Sequence, residues 1–394
     1  MPFRDPLDKE RAFFPMNLRP LVFLGSGVSR PTFGEGGLVD GLTEALFQDR
    51  WVLTTAETWE PDRGHNAAYR QPPVQEFLKR LSGQAEDYYV ESRGSRPNYE
   101  DLYGLAHQVS DEDGWRDNAA VAPFRLEVRR LCADLLPPRR SFADKPLENL
   151  ARRSLDFIQK VIATKLITPE RIEGLELLRA LVQNRGSQPL TICTLNHDLL
   201  VEKFLDGDRI VDGFSPNPIH GVRYFDRHEF AITDCDVKLL KLHGSINWRV
   251  LPNDDVGIFT PADNRKDRNG EPIDVRQDQP KFLTGAANKL LDYQTGIFLA
   301  QLTEFDRALE EHDLIVMSGY GWGDQGISRR LKVWASKQDR RIVLLHEEPE
   351  NLQAARPLQH SFDRLVKDRR LILIRKWMKD VGIDEIQAAL SGLS

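Results

Sequence analysis

Short apolar runs that stop at glycine or polar residues recur along this chain. Leu21-Val22-Phe23-Leu24 is the first, and it leads into Gly25-Ser26-Gly27-Val28-Ser29. A continuous apolar run of this length, ended by glycine, predicts a strand buried on both faces of a parallel sheet. A polar, glycine-rich stretch at 30–41 then leads to an apolar segment at 42–47. Further strands are expected at 190–195, 238–242, 313–318, 341–345 and 370–374. Leucines and other apolar residues at three- and four-residue spacing predict helices at 299–311 and 327–336, between the later strands.

Residues 50–187 carry a different pattern. No run of apolar strands is visible there, and helical periodicity dominates at 74–81, 99–109, 124–136, 147–165 and 169–183. Turn-rich segments at 91–97 and 137–140 separate these helices. Residues 252–281 are charged and rich in Asp, Asn, Gly and Pro, and read as a surface loop long enough to act as a lid. Strands alternating with helices predict an α/β fold, a Rossmann-like parallel sheet with helices on both faces. The expected division is a sheet domain of 1–48 with 188–394, and a large inserted helical module of 49–187.

Composition narrows the classes. A length of 394 residues allows two or three domains, or one large domain with insertions. A formal net charge of −6 argues against a non-specific nucleic-acid coat. The first residues mix both charge signs without an apolar core, unlike a secretory signal. No stretch approaches the roughly 20 apolar residues of a membrane span. The cysteines are Cys132, Cys193 and Cys235, an odd count with no CxxC pair. That is too few for a four-cysteine zinc site and argues against a secreted disulfide framework. A cytoplasmic protein without zinc, and without a membrane partner, is expected.

The candidate chemistry sits at the ends of the predicted strands, where ligands bind in open parallel sheets. Gly25-Ser26-Gly27-Val28-Ser29 can bring backbone close to a pyrophosphate, or can be a plain tight turn. It is neither GxGxxG nor a P-loop. Thr194-Leu195-Asn196-His197-Asp198 places an amide and a carboxylate at a strand end, to hold a water or ribose hydroxyl or merely to cap the next helix. Lys241-Leu242-His243-Gly244-Ser245 offers a histidine for proton transfer, or a structural one, followed by a glycine that permits close approach. Gly319-Tyr320-Gly321-Trp322-Gly323-Asp324 is a flexible, stacking-capable loop or a plain connecting turn, and His346-Glu347-Glu348 brings a carboxylate suited to ribose hydroxyls.

Taken in order, GSGVS, TLNHD, KLHGS and GYGWGD resemble the motifs of the sirtuin superfamily, which carries a GAGxS loop, a TQNxD strand end, a His-Gly and a later ribose-binding glycine loop. The resemblance covers about 18–48 and 188–375. The four-cysteine zinc module of the deacetylase sirtuins has no counterpart, and the HGSINW and GYGWGDQGI segments look like bacterial sirtuin-like proteins of anti-phage defence. The resemblance implies a Rossmann NAD-binding domain and an NAD⁺ hydrolase that depletes NAD⁺ on infection. It implies catalytic roles for Asn196 and His243, with His243 as general base. Gly25, Ser26, Gly27 and Ser29 would cradle the diphosphate, and Phe33 would lie in the loop over nicotinamide. Asp198 would support the ribose, and Gly244 and Ser245 would also contact NAD⁺. Gly319, Tyr320 and Asp324 would meet the adenosine half. NAD⁺ is then a substrate, and no zinc is involved. The implied partners are a second copy of the chain, or a separate sensor or activator such as a HerA-type ATPase or an Argonaute. A protein deacylase and a non-catalytic NAD⁺ or ADP-ribose sensor are the alternatives.

Overall fold

A computed structural model of the chain describes residues 20–53, 59–62, 73–111, 121–138, 141, 144–251, 254–261, 265–273, 280–285, 293–349 and 364–391. Residues 1–19 and parts of the expected loop at 252–281 lie outside the described residues. Among the described residues thirteen strands are formed: β1 (Pro20–Leu24), β2 (Trp51–Leu53), β3 (Trp59–Pro61), β4 (Leu190–Thr194), β5 (Ile210–Val211), β6 (Val222–Tyr224), β7 (Val237–Lys241), β8 (Gly244–Val250), β9 (Val256–Phe259), β10 (Pro280–Phe282), β11 (Leu314–Ser318), β12 (Arg341–Leu345) and β13 (Leu371–Ile374).

Seven of them make one parallel sheet in the order β13-β12-β11-β1-β4-β7-β5. The expected apolar strands form within a residue or two of their predicted positions. Alternate side chains of each strand enter opposite cores, as a period of two requires. Leu21, Phe23, Cys193, Ile315 and Met317 face the helices Gly296–Glu311 and Gln325–Ala335. Val22, Leu24, Ile192, Leu314 and Val316 face the helices Glu176–Gln183, Leu200–Phe204 and Ile383–Ser391. The fold is α/β and Rossmann-like, with both faces of the sheet covered.

From β1 the chain moves outward to β4 and β7, then returns to β11 on the other side of β1 and continues to β12 and β13. Connections therefore diverge at the carboxyl end of β1, which opens a crevice between the loops that follow β1, β4 and β11.

The helices Val39–Gln48, Pro73–Arg93, Tyr99–Ser110, Val121–Leu131 and Pro146–Lys165 share a separate core with the β2–β3 hairpin. Pro146–Lys165 is central: Leu147, Leu150, Ala151, Phe157, Ile158, Val161 and Ile162 are all buried, and it packs on Tyr99–Ser110 and Pro73–Arg93. The helix expected over 169–183 covers only Glu176–Gln183. Pro169 biases the residue before it away from helical backbone, and Gly174 turns with φ +85° against Pro31. This helix packs under the sheet, whereas Val39–Gln48 packs with the helical layer.

The expected surface loop at 252–281 needs correction. It contains β9 and reaches into β10, two strands of an antiparallel sheet ordered β10-β8-β9-β6. Four residues of β9 between charged segments carry too little alternation to be read locally, and their pairing with β8 supplies what the pattern lacks.

Candidate functional site

A cavity of about 210 Å³ lies in the crevice at the switch point. Its floor comes from the loops after β1, β4 and β11, with His243 at the end of β7. Its opposite wall comes from the helical layer: Val39 and Leu42 of one helix, Tyr99 and Glu100 at the start of another, and Leu166 after a third. The charged groups in the lining are the carboxylates of Glu100, Asp198 and Asp324; no Lys or Arg is among the described residues that line it.

The β1 and β11 loops meet backbone to backbone. Gly25 N–H donates to the Ser318 carbonyl and Gly27 N–H to the Gly319 carbonyl, both at 3.0 Å. A Cβ on Gly25 would stand 2.4 Å from Gly319 O, and one on Gly319, whose φ is +68°, 2.5 Å from Val28 N. The glycines thus permit a crossing of two loops. The N–H groups of Gly25 and Gly27 are engaged in that crossing. The intervening residues 26–29 form one turn of 3₁₀ helix.

Asn196 is locked onto this crossing. Its Nδ2 donates to the Gly25 carbonyl at 3.1 Å and to Ser29 Oγ at 3.0 Å, and Ser29 Oγ donates to Asp198 Oδ2 at 2.7 Å. Asp198 Oδ1 accepts from the Leu200 N–H at 3.1 Å, so the capping role and the site role coexist. Asn196 Oδ1 is left buried without a hydrogen-bond partner among the described residues. An unmet buried acceptor costs about 1–3 kcal/mol, and a water or ligand hydroxyl in the cavity would satisfy it.

Lys241 supports this chain from below. It is 3% exposed, and its Nζ donates to the Asp198 carbonyl and to Glu202 Oε1, the latter at 2.8 Å. Burial raises the Glu202 carboxyl above its ordinary value, against the pull of Lys241. A lysine at the end of a largely apolar strand, two residues before the histidine, is the sequence signal for it.

His243 is aimed by the change of sheet that follows it. Gly244 turns at φ +80° from β7 into β8, and a Cβ there would stand 2.5 Å from Lys281 O. The His243 carbonyl is held by the Leu283 N–H at 2.7 Å. The imidazole, 6% exposed, has Nε2 at 3.0 Å from Asp324 Oδ2. Asp324 caps the helix Gln325–Ala335, its Oδ1 accepting from the Ile327 N–H at 2.9 Å. Tyr293 Oη donates to Asp324 Oδ2 at 3.3 Å. Asp324 therefore sits beside the histidine.

Of the expected site residues, Gly25, Ser26, Ser29, Asn196, Asp198, His243, Gly319, Tyr320 and Asp324 line the cavity together. Tyr320 is 4% exposed, its ring edge-on to Phe23 and its hydroxyl bonded to Ser328 and the Asp324 carbonyl, so it braces the loop more than it offers a stacking face. Gly27 lines a second hollow instead. Phe33 packs between the helical and sheet cores. Gly244 and Ser245 lie outside the lining, with Ser245 fully buried and its hydroxyl on the His197 carbonyl. Sequence reading missed Tyr293, Tyr99 and Glu100. An Asn98–Asp101 capping box marks the helix start that carries the last two, but nothing local places that start over the strand ends.

The second hollow, about 490 Å³, lies across the loop crossing and is lined by Gly27, Val28, Arg30, Ser318, Glu347, Trp377 and Lys379, among others. Glu347 Oε2 accepts from Trp377 Nε1 at 2.7 Å, which fixes a carboxylate at the end of β12. Among the described residues no helix is long and apolar enough to cross a membrane. No protein-family profile and no curated protein matches the chain.

Proposed function

We propose that the chain is an NAD⁺ glycohydrolase, cleaving NAD⁺ to nicotinamide and ADP-ribose. The observation that carries this reading is the convergence of Asn196 and the Asp324–His243 pair on one cavity at the sheet's switch point. The two hollows support it. Small-molecule sites usually hold roughly 300–1,000 Å³, and the inner cavity, at about 210 Å³, suits half a dinucleotide. The outer hollow on the far side of the same crossing suits the other half. The inner cavity's carboxylates favour a cationic pyridinium over a phosphate; the diphosphate and adenosine would run on the outer side, where Arg30 and Lys379 stand among the carboxylates of Glu35, Glu347 and Asp380.

The chemistry then follows from the groups present. The C1′–N glycosidic bond of the nicotinamide ribose breaks, its electron pair neutralises the pyridinium, and nicotinamide leaves. The sugar passes through an oxocarbenium-like state, which the carboxylates Asp198 and Glu100 stabilise electrostatically. Asn196 Oδ1 accepts from the attacking water and places it. His243, oriented by Asp324, takes the proton as that water bonds to C1′. One NAD⁺ and one water give nicotinamide, ADP-ribose and a proton.

The test is purified protein incubated with NAD⁺ and the products separated. Equal release of nicotinamide and ADP-ribose is the expected result. Acetyl-ADP-ribose formed from an added acetylated peptide would instead mark a deacylase, and tight NAD⁺ binding without turnover a sensor. We extend the reading, on the sequence resemblance alone, to an effector of bacterial anti-phage defence that depletes NAD⁺. Unchecked activity would be lethal to its host, so control through self-association or through a separate activator, such as a HerA-type ATPase or an Argonaute, belongs to the same proposal. Nicotinamide release from a dilute monomer at its full rate would remove the self-association part.

A further inference from the structure

We infer that Tyr293 is a positioning residue of the site, tuning the His243 imidazole through Asp324; this rests on the reading of His243 as the general base. The three groups come from separate parts of the chain: the end of β7, the segment before the helix Gly296–Glu311, and the cap of the helix Gln325–Ala335. They meet at one oxygen. Asp324 Oδ2 stands 3.0 Å from His243 Nε2 and 3.3 Å from Tyr293 Oη, while Oδ1 is committed to the Ile327 N–H. All three side chains are buried.

Geometry gives each bond a direction. Tyr293 can only donate to a carboxylate, so its hydroxyl withdraws charge from the same oxygen that faces the imidazole. A carboxylate relieved of charge stabilises an imidazolium less. The hydroxyl thus holds Asp324 in place while it keeps His243 from becoming protonated too readily. Burial and the Asp324 charge both push the Tyr293 hydroxyl above its ordinary value, so it stays a neutral donor through the working range of a histidine base. Other charged or titratable groups face this cluster. His197 stacks at 6.1 Å from His243, Asp198 and Glu100 line the same cavity, and Tyr320 and Arg330 lie close enough to Tyr293 to act on it electrostatically. Removal of one oxygen atom at position 293 deletes the hydrogen bond to Asp324 Oδ2 and keeps the ring.

The experiment compares the full chain with Tyr293→Phe, which keeps the ring. The His243 titration is followed by NMR of histidine-labelled protein, with the His243 signal assigned by its loss in His243→Gln. NAD⁺ turnover is measured across pH in parallel. The expected result is a His243 titration moved to higher pH by roughly one unit. A base is active when unprotonated, so the acidic limb of kcat moves upward with it, while kcat at its plateau falls by up to about tenfold and KM stays within about twofold. An unmoved His243 titration overturns the inference, whatever happens to the rate, because loss of packing alone lowers activity without shifting that titration. If the wild-type chain releases no nicotinamide, the hydrolase reading falls, and the NMR titration still decides whether Tyr293 governs His243.

Discussion

The two hollows on either side of the Gly25–Gly319 crossing are built from opposite materials. The inner one is small and is furnished with buried side chains whose positions are fixed by their neighbours: Asn196 by Gly25 and Ser29, His243 by Asp324, Asp198 by Ser29 and Leu200. The outer one is larger and lined by exposed groups such as Arg30, Glu347 and Lys379. Fixed polar groups in a partly dry cavity act strongly on developing charge, because they need no reorganisation and meet little screening. Exposed charges are screened and add modestly to binding. The difference teaches that residues on the two sides should fail in different ways, turnover on the inner side and affinity on the outer.

The sharpest break is at His243. His243→Ala should lower nicotinamide release by about 10²–10⁴-fold, with NAD⁺ affinity by calorimetry and the thermal transition little changed. Turnover equal to wild type would end the assignment of chemistry to the inner cavity. Asn196→Ala comes next, expected to cost about 10²-fold in kcat. A loss confined to KM there would move Asn196 from the chemistry to binding.

Gly319→Ala tests the crossing that divides the hollows. The added methyl meets Val28 N at 2.5 Å in a backbone with φ +68°. A stability loss of about 1–3 kcal/mol in urea unfolding is expected, and because both hollows use this crossing, affinity and turnover should fall together. A rise in KM with kcat preserved would show that the inner cavity does not depend on it. The smallest effect is expected at Glu347→Ala on the outer side, a rise in KM of about three- to tenfold with kcat unchanged. A fall in kcat there would erase the distinction between the two sides.

How much of this could be read beforehand differs by element. Six of the seven strands of the parallel sheet were legible because burial on both faces forces unbroken apolar runs, as in Leu21 to Leu24 and Leu314 to Met317, whereas the two-residue β5 carries no such run. β9 was not, since an antiparallel strand of four residues borrows its stability from β8. Periodicity marked a helix over 169–183, of which 176–183 forms, but a helix pattern does not say which core it joins: this helix joins the sheet core, and Val39–Gln48 joins the helical one. At the site, Asn196 and His243 stood out as polar groups at strand ends. Asp324 stood out as well, but its partner did not: it lies 81 positions from His243, and the pairing depends on β11 lying three strands from β7 across β1 and β4. Tyr293 had no local signal, because a tyrosine between a loop and a helix looks the same whether it faces a core or a carboxylate.

The amino-acid sequence by itself determined the α/β class, the buried strands and the set of polar residues gathered at their carboxyl ends, since burial and periodicity are local properties of a chain. The winding order decided the rest. It put β4 beside β1 and β7 beside β4, so an amide and an imidazole 47 positions apart share one cavity, and it laid the helical layer across them so that Tyr99 and Glu100 close the wall. Those contacts form between segments with no sequence relation to each other, and only packing the two cores against one crevice creates them.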